Sequence, residues 1–172
     1  MRFYSGFALS EDQHFFDPYL KESEYTVAGF SYGAIKAAQY AAEASERIDT
    51  LQLFSPAFFQ TKKESFRRLQ MGGYSKDSER YLDNFLTSCF APLPKGVMTL
   101  GENNAQGLEE LLYFEWTHDL MEGLRSKGIR IEIYLGFDDQ VIDVSGAREF
   151  FIPYATVISI KKANHFLQEN YL

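Results

Sequence analysis

Cysteine is almost missing from the chain: Cys89 stands alone among 172 residues. No disulfide can form within it, which fits a reducing cytoplasm. Histidine is scarce too, with His14, His118 and His165 the whole supply, so imidazole chemistry has three positions to draw on. No apolar run approaches the ~20 residues that span a bilayer. The start, Met1 to Phe7, lacks the apolar stretch of a signal peptide and already reads as strand and turn. Positive charge is in deficit, 17 Lys and Arg against 24 Asp and Glu for a net of −7, which argues against nucleic-acid binding. There is no internal repeat and no low-complexity stretch. What the chain does have is an ordinary hydrophobic share of 45% and an unusually aromatic one of 16%. Aromatic side chains bury large areas and also line apolar pockets. The expectation is one cytoplasmic domain over residues 1–172, with no metal, no cofactor and no membrane partner.

Short β-prone runs alternate with helical ones. Arg2–Ser5 ends at Gly6, and residues 10–22 read as loop and short helix. Tyr25–Phe30 is a buried strand, and Tyr32–Ala44 is an Ala-rich helix. Thr50–Ser55 is a strand closed by Pro56. Ile129–Gly136 and Thr156–Ile160 are two more, with a helix over Ala147–Phe151 between them. Strands separated by helices give βαβ units and a mostly parallel five-stranded α/β sheet flanked by helices. Residues 57–127 interrupt the pattern. They are helical in character, rich in Phe, Tyr and Leu, and broken at Gly72-Gly73 and Pro92-Leu93-Pro94. About 70 residues is long for a simple crossover. A helical cap over the strand ends is preferred to ordinary crossover helices.

Chemistry concentrates at Gly29-Phe30-Ser31-Tyr32-Gly33, a G-x-S-x-G match that leaves a strand and opens a helix. That setting makes a sharp turn, needs small residues at 29 and 33, and presents the Ser31 hydroxyl at the tip as a nucleophile. A serine hydroxyl needs an adjacent base. His165 follows the last strand directly, at the same sheet edge, whereas His14 precedes the serine and His118 lies in the inserted segment. The acid that orients the imidazole belongs after the fourth strand, where Asp138, Asp139 and Asp143 compete. Asp139 is preferred because it lies just past the strand edge and before the apolar pair Val141-Ile142. Asp138 ranks second and Asp143 third. An oxyanion needs backbone donors: the Tyr32 N–H, and one from the loop after the first strand, for which the Phe7 N–H is the candidate.

Taken together, Phe3-Tyr4-Ser5-Gly6-Phe7-Ala8-Leu9, the elbow, Leu135–Ile142 and Asn164-His165 resemble the α/β-hydrolase superfamily, in family order, with Ser5 in place of the usual His. The shortness and the Phe30-Ser31-Tyr32-Gly33-Ala34-Ile35-Lys36-Ala37 segment are similar to the minimal esterases that cleave the pimeloyl-acyl-carrier-protein methyl ester in biotin synthesis (the BioV and BioG kind). The resemblance implies a reduced α/β-hydrolase fold that keeps five contiguous strands. It implies an edge at the first strand, free to pair or be covered by residues 10–22. It also implies an acyl carrier protein as partner. Residues 62–80 carry six basic against three acidic side chains, a net of +3 in a chain of −7. Lys62, Lys63, Arg67 and Arg68 are therefore candidates for docking an acidic carrier. Phe58, Phe59, Phe66, Tyr81, Phe85 and Phe90 are candidates for lining an acyl channel. A general small-acyl carboxylesterase or thioesterase, and a non-catalytic binding module of the same fold, stand as alternatives.

Overall fold

The computed structural model describes residues 1–171. Its central sheet holds five parallel strands, β1 (Arg2–Tyr4), β3 (Thr26–Phe30), β4 (Thr50–Phe54), β6 (Arg130–Gly136) and β7 (Thr156–Ile160), in that spatial order. Two short strands, β2 (Leu9–Ser10) and β5 (Thr99–Leu100), pair antiparallel in a separate ribbon that no apolar run in the sequence marks. The helices are α1 (Tyr32–Glu43), α2 (Glu64–Lys76), α3 (Ser78–Phe90), α4 (Ala105–Tyr113), α5 (His118–Ser126) and α6 (Val144–Phe151), with a 3-10 turn at Asp12–Phe16.

Alternation along β6 separates the two faces of the sheet. Ile131, Ile133 and Leu135 join Val27, Leu51 and Leu53 in the larger core, under α1, α5 and α6. The buried residues of α1 are Gly33, Ala34, Ile35, Ala37, Ala38 and Ala41, small enough to bring the helix close to the strands. The opposite face is covered differently. Phe16 stacks on Phe54 with ring centroids 4.6 Å apart, and Phe30, Phe90 and Phe166 close around it. Residues 10–22 therefore cross this face rather than covering the β1 edge. The reason is the aromatic side chain of Phe16, which is fully buried against Phe3, Phe30 and Phe54.

The same face buries a polar cluster. Gln52 Nε2 donates to the Tyr19 carbonyl at 2.9 Å, to Glu132 Oε2 at 3.0 Å and to the Tyr134 hydroxyl at 3.1 Å. The Lys21 N–H donates to Gln52 Oε1, and the Lys21 ammonium pairs with Glu132 Oε1. Gln52 and Glu132 would be costly in a sheet centre if unpaired. Here every side-chain oxygen and nitrogen of the pair has a partner.

Two expectations about the 57–127 segment change. Gly72-Gly73 does not break a helix: both lie inside α2, which ends at Lys76. The space beside Gly72 is open, so no packing resists a continuous helix there. The segment's ends also belong to the sheet domain. Trp116 donates its indole N–H to the Ala57 carbonyl at 2.8 Å, and its backbone exchanges hydrogen bonds with the Gln60 amide. Met121 and Leu124 of α5 are fully buried in the main core. Ala57 to Gln60 and Trp116 onward thus form a stitched neck, and the excursion is α2, α3, β5 and α4. No helix among the described residues is long and apolar enough to cross a membrane.

Burial opposes the charged form of Glu132, but Lys21, Tyr134 and Gln52 outweigh it and hold the carboxyl below its ordinary range. Burial and then Glu132 push the Tyr134 hydroxyl up to about 12. A carboxyl whose folded value is depressed contributes stability above its unfolded value, about pH 4.3, and loses it as pH falls through the folded value. Glu132→Gln should therefore cost about 1–2 kcal/mol near neutral pH. The gap in melting midpoint between the two proteins should shrink as pH is lowered below about 4.3. A gap that stays constant from pH 7 to 3 would mean the charge contributes nothing.

Candidate active site

The site begins where β3 hands over to α1. Ser31 sits between them at φ 54° and ψ −113°, a conformation L-residues avoid, so the turn must be over-determined by its surroundings. Gly33 shows how. A Cβ there would lie 2.0 Å from the Tyr4 carbonyl oxygen and 2.5 Å from that of Ser5, and one at Gly29 would lie 2.2 Å from the Gly33 carbonyl oxygen. Only hydrogen at these positions lets α1 start directly against the end of β1. The Ser31 N–H donates to the Phe54 carbonyl at 2.9 Å, and its carbonyl accepts from Ala34 and Ala57. The elbow is tied on both sides.

From this turn a hydrogen-bonded chain runs through buried side chains. Ser31 Oγ is 3.0 Å from His165 Nε2, and His165 Nδ1 is 2.6 Å from Asp139 Oδ2. Asp139 Oδ1 accepts from the N–H groups of Val141 at 2.7 Å and Ile142 at 3.3 Å. A carboxylate that only accepts places the imidazole proton on Nδ1, leaving the Nε2 lone pair toward the serine hydroxyl. The loop of His165 is anchored by two further side chains. Ser55 Oγ donates to the His165 carbonyl at 2.8 Å, and Asn164 Nδ2 donates to the Phe90 carbonyl at 2.9 Å. Ser55 looked like no more than the end of a strand, and nothing in its local pattern marks a contact 110 residues away.

The other candidates disperse. Asp138 is exposed. Asp143 caps α6, accepting from the Gly146 N–H at 3.0 Å and the Thr61 hydroxyl at 2.6 Å. Its carboxyl is held below its ordinary range by Thr61 first and then Gly146. His14 is an exposed residue of the 3-10 turn with Nδ1 against the Glu11 carbonyl, and His118 opens α5 paired with the Tyr154 hydroxyl. Neither reaches the serine. Among the described residues, no cluster of three or more His, Cys, Asp or Glu could hold a metal ion.

Ser31 is not exposed at the tip as its motif implied: it is 4% accessible, and His165 is fully buried. The Phe7 ring packs against Tyr32, Tyr74 and Phe85, joining the loop after β1 to the elbow and to α2 and α3. The N–H groups of Phe7 and Tyr32 donate to no described residue. Tyr32 heads α1, where the first N–H groups have no partner within the helix. Its hydroxyl and the Lys36 ammonium both donate to Glu110 of α4, which ties the elbow helix to the excursion.

Beside this roof lies a cavity of about 430 Å³ walled by α2, α3, α4 and the Gln140-Val141 turn next to Asp139. Phe59, Phe66, Tyr81 and Phe85 line it, together with Leu111 and Leu112. Phe58 and Phe90, also expected there, pack instead against Phe150 and Phe151 and against Phe15 and Phe166. Ser31 is not among the residues that line the cavity. Of the four basic candidates, Lys62 is at the cavity and Lys63 and Arg68 are exposed. Arg67 is not a surface group. Its guanidinium donates to the Leu112 carbonyl at 3.1 Å and the Phe59 carbonyl at 3.0 Å, because a fixed fork of donors suits two carbonyls at a helix junction.

By sequence the chain matches no protein-family model and no curated protein. By structure it is similar to many solved proteins. BioG from Haemophilus influenzae aligns with a TM-score of 0.59 over 96% of this chain and 87% of that one, at 9% identity. MenH from S. aureus aligns at 0.61 over 95% and 85%, at 15% identity. A bromoperoxidase from Bacillus anthracis aligns at 0.61 over 82% and 60%, at 18% identity. The chain spans 57% of the length of a structure described among the carboxylesterases of Nitrososphaera gargenis. The fold is that of the α/β-hydrolases, in a reduced form. At this level of identity the likeness is one of fold.

The elbow generates a paired test. Gly33→Ala must displace the Tyr4 or Ser5 backbone and should cost about 1–3 kcal/mol or more. Gly72→Ala, with open space around it in α2, should raise stability by about 0.5–1 kcal/mol. Thermal melting of both variants checks the pair, and equal effects would contradict the close approach at Gly33.

Proposed function

We propose that the chain is a serine carboxylesterase that works through an acyl-enzyme. The observation that carries this reading is the buried chain from Ser31 through His165 to Asp139, built on a strained turn between strand and helix. Ser31 Oγ attacks the ester carbonyl while His165 Nε2 takes its proton. Asp139 keeps the ring oriented and stabilises the imidazolium. The N–H groups of Phe7 and Tyr32 receive the developing oxyanion. His165 returns the proton to the leaving alcohol, and a water molecule activated by the same nitrogen then releases the acid. Support for the proton path is the hydrogen-bonded series Ser31, His165 and Asp139.

The proposed substrate is the methyl ester of pimeloyl-acyl carrier protein, with methanol as the alcohol released. Support comes from three directions: the resemblance in the sequence segments, the near full-length similarity in fold to BioG, and the aromatic cavity. An apolar wall suits an acyl chain, and the exposed Lys63 and Arg68, with Lys62 beside the cavity, suit an acidic carrier. No metal or cofactor enters the scheme.

Ser31→Ala should lower kcat on p-nitrophenyl butyrate by about 10³-fold or more and abolish labelling by a fluorophosphonate. Asp139→Asn should lower kcat by up to about 10⁴-fold, the loss that the same change causes in serine proteases. Asp138→Asn should stay within about threefold of wild type, since an exposed carboxylate without a side-chain partner among the described residues supports no transition state. A severe Asp138 effect with a mild Asp139 effect would overturn the assignment of the acid.

For the carrier, Lys63→Glu combined with Arg68→Glu should lower kcat/KM on the carrier-linked methyl ester and leave p-nitrophenyl butyrate unchanged. The loss should fade between about 0.1 M and 1 M salt as the Debye length shrinks from about 10 Å to about 3 Å. Equal efficiency of the wild type on both substrates would favour the general esterase.

A further inference from the structure

The loop after β1 is held by a carboxylate that the reaction scheme does not use. Asp12 opens the 3-10 turn and is fully buried. Its Oδ2 accepts the Gly6 N–H at 2.9 Å, while its buried Oδ1 has no hydrogen-bond partner among the described residues. A buried carboxylate with one oxygen unmet works against stability. Folding alone would be served better by a smaller neutral acceptor. The group it holds is adjacent to the donor proposed for the oxyanion.

Peptide geometry shows what the tether does. The Gly6 carbonyl accepts from the Leu9 N–H at 3.1 Å. A trans peptide group is planar, with its C=O and N–H pointing in opposite directions. Fixing the Gly6 carbonyl therefore fixes the Phe7 N–H, which belongs to the same plane and points the other way. Asp12 fixes the preceding plane through the Gly6 N–H. With both planes held, rotation about the two Gly6 bonds is removed, and these are the rotations that would swing the Phe7 N–H out of line. The restraint matters because the loop is strained: Ala8 and Glu11 have φ of 59° and 61°.

We propose that Asp12 is a positioning residue that aims the Phe7 N–H at the oxyanion through Gly6. The proposal rests on the esterase reading and adds to it a residue that touches neither substrate nor triad. A donor that is needed only in the transition state affects kcat and not ground-state binding.

Asp12→Ala should lower kcat on p-nitrophenyl butyrate by about 10- to 100-fold, below the 10²–10³ for outright removal of an oxyanion donor. KM should stay within about twofold, and the affinity for butylboronic acid, which forms a tetrahedral adduct on the serine, should fall by a similar factor to kcat. Asp12→Asn keeps an oxygen for the Gly6 N–H and should recover kcat to within about threefold of wild type. If Asp12→Ala does not fold, Asp12→Ser, too short to reach Gly6, takes its place with the same expectation. A kcat unchanged in Asp12→Ala, or a loss that Asp12→Asn does not recover, overturns the positioning role while leaving an active, fluorophosphonate-labelled wild type as evidence for the esterase. A wild type that hydrolyses no ester sinks the esterase reading instead. Hydrogen exchange at the Gly6 amide then decides the tether by itself: faster exchange in Asp12→Ala than in wild type supports it, and equal rates refute it.

Discussion

The molecule depends on one close approach, that of Gly33 in α1 to the carbonyl oxygens of Tyr4 and Ser5. This contact lets the helix begin at the very edge of the sheet, so that Ser31 stands on a turn too tight for ordinary backbone angles. It also brings the loop after β1 beside the same turn. The proposed nucleophile and the proposed oxyanion loop are thus placed by a single packing event. A side chain larger than hydrogen at Gly33 would move both together. Strain at Ser31 persists because the strand on one side and the carbonyl contacts with Phe54, Ala34 and Ala57 on the other leave the turn no relaxed alternative.

The smallness of the chain has a structural consequence on the second face of the sheet. Where a full helix layer would usually pack, a 3-10 turn, the end of α3 and the C-terminal loop meet over Phe16, Phe30, Phe54, Phe90 and Phe166. Flat aromatic rings cover a wide area with few residues, which answers the high aromatic content of so short a chain. Where the aromatic cover ends, Gln52, Glu132, Tyr134 and Lys21 satisfy one another. A polar cluster in a sheet is tolerable only when its members are all paired, and these are.

The excursion between β4 and β6 acts as a roof rather than an independent domain. Its neck is stitched by Gln60 and Trp116, its base by Arg67 on two carbonyls, and its contact with the elbow by Glu110 on Tyr32 and Lys36. Phe7 joins it to the loop after β1. The serine at the elbow is buried in this arrangement.

The strand positions, the elbow and the meeting of Asp139, rather than its neighbours, with His165 were legible in the sequence because each has a local signal. Buried strands show as apolar runs, the elbow as glycines at fixed spacing about a serine, and the proposed acid by its place after a strand. His165 was legible for the same reason: parallel strands end at one edge, so residues just after them share it. What only the tertiary structure decided involves partners far apart in the chain. Ser55 under His165, Asp12 behind Gly6, the spent guanidinium of Arg67 and the burial of Ser31 have no periodicity or spacing to announce them. A side chain's hydrogen-bond partner depends on which backbone group packing brings within about 3 Å. That depends on the whole arrangement of helices over the sheet rather than on the residue's own neighbours in the chain.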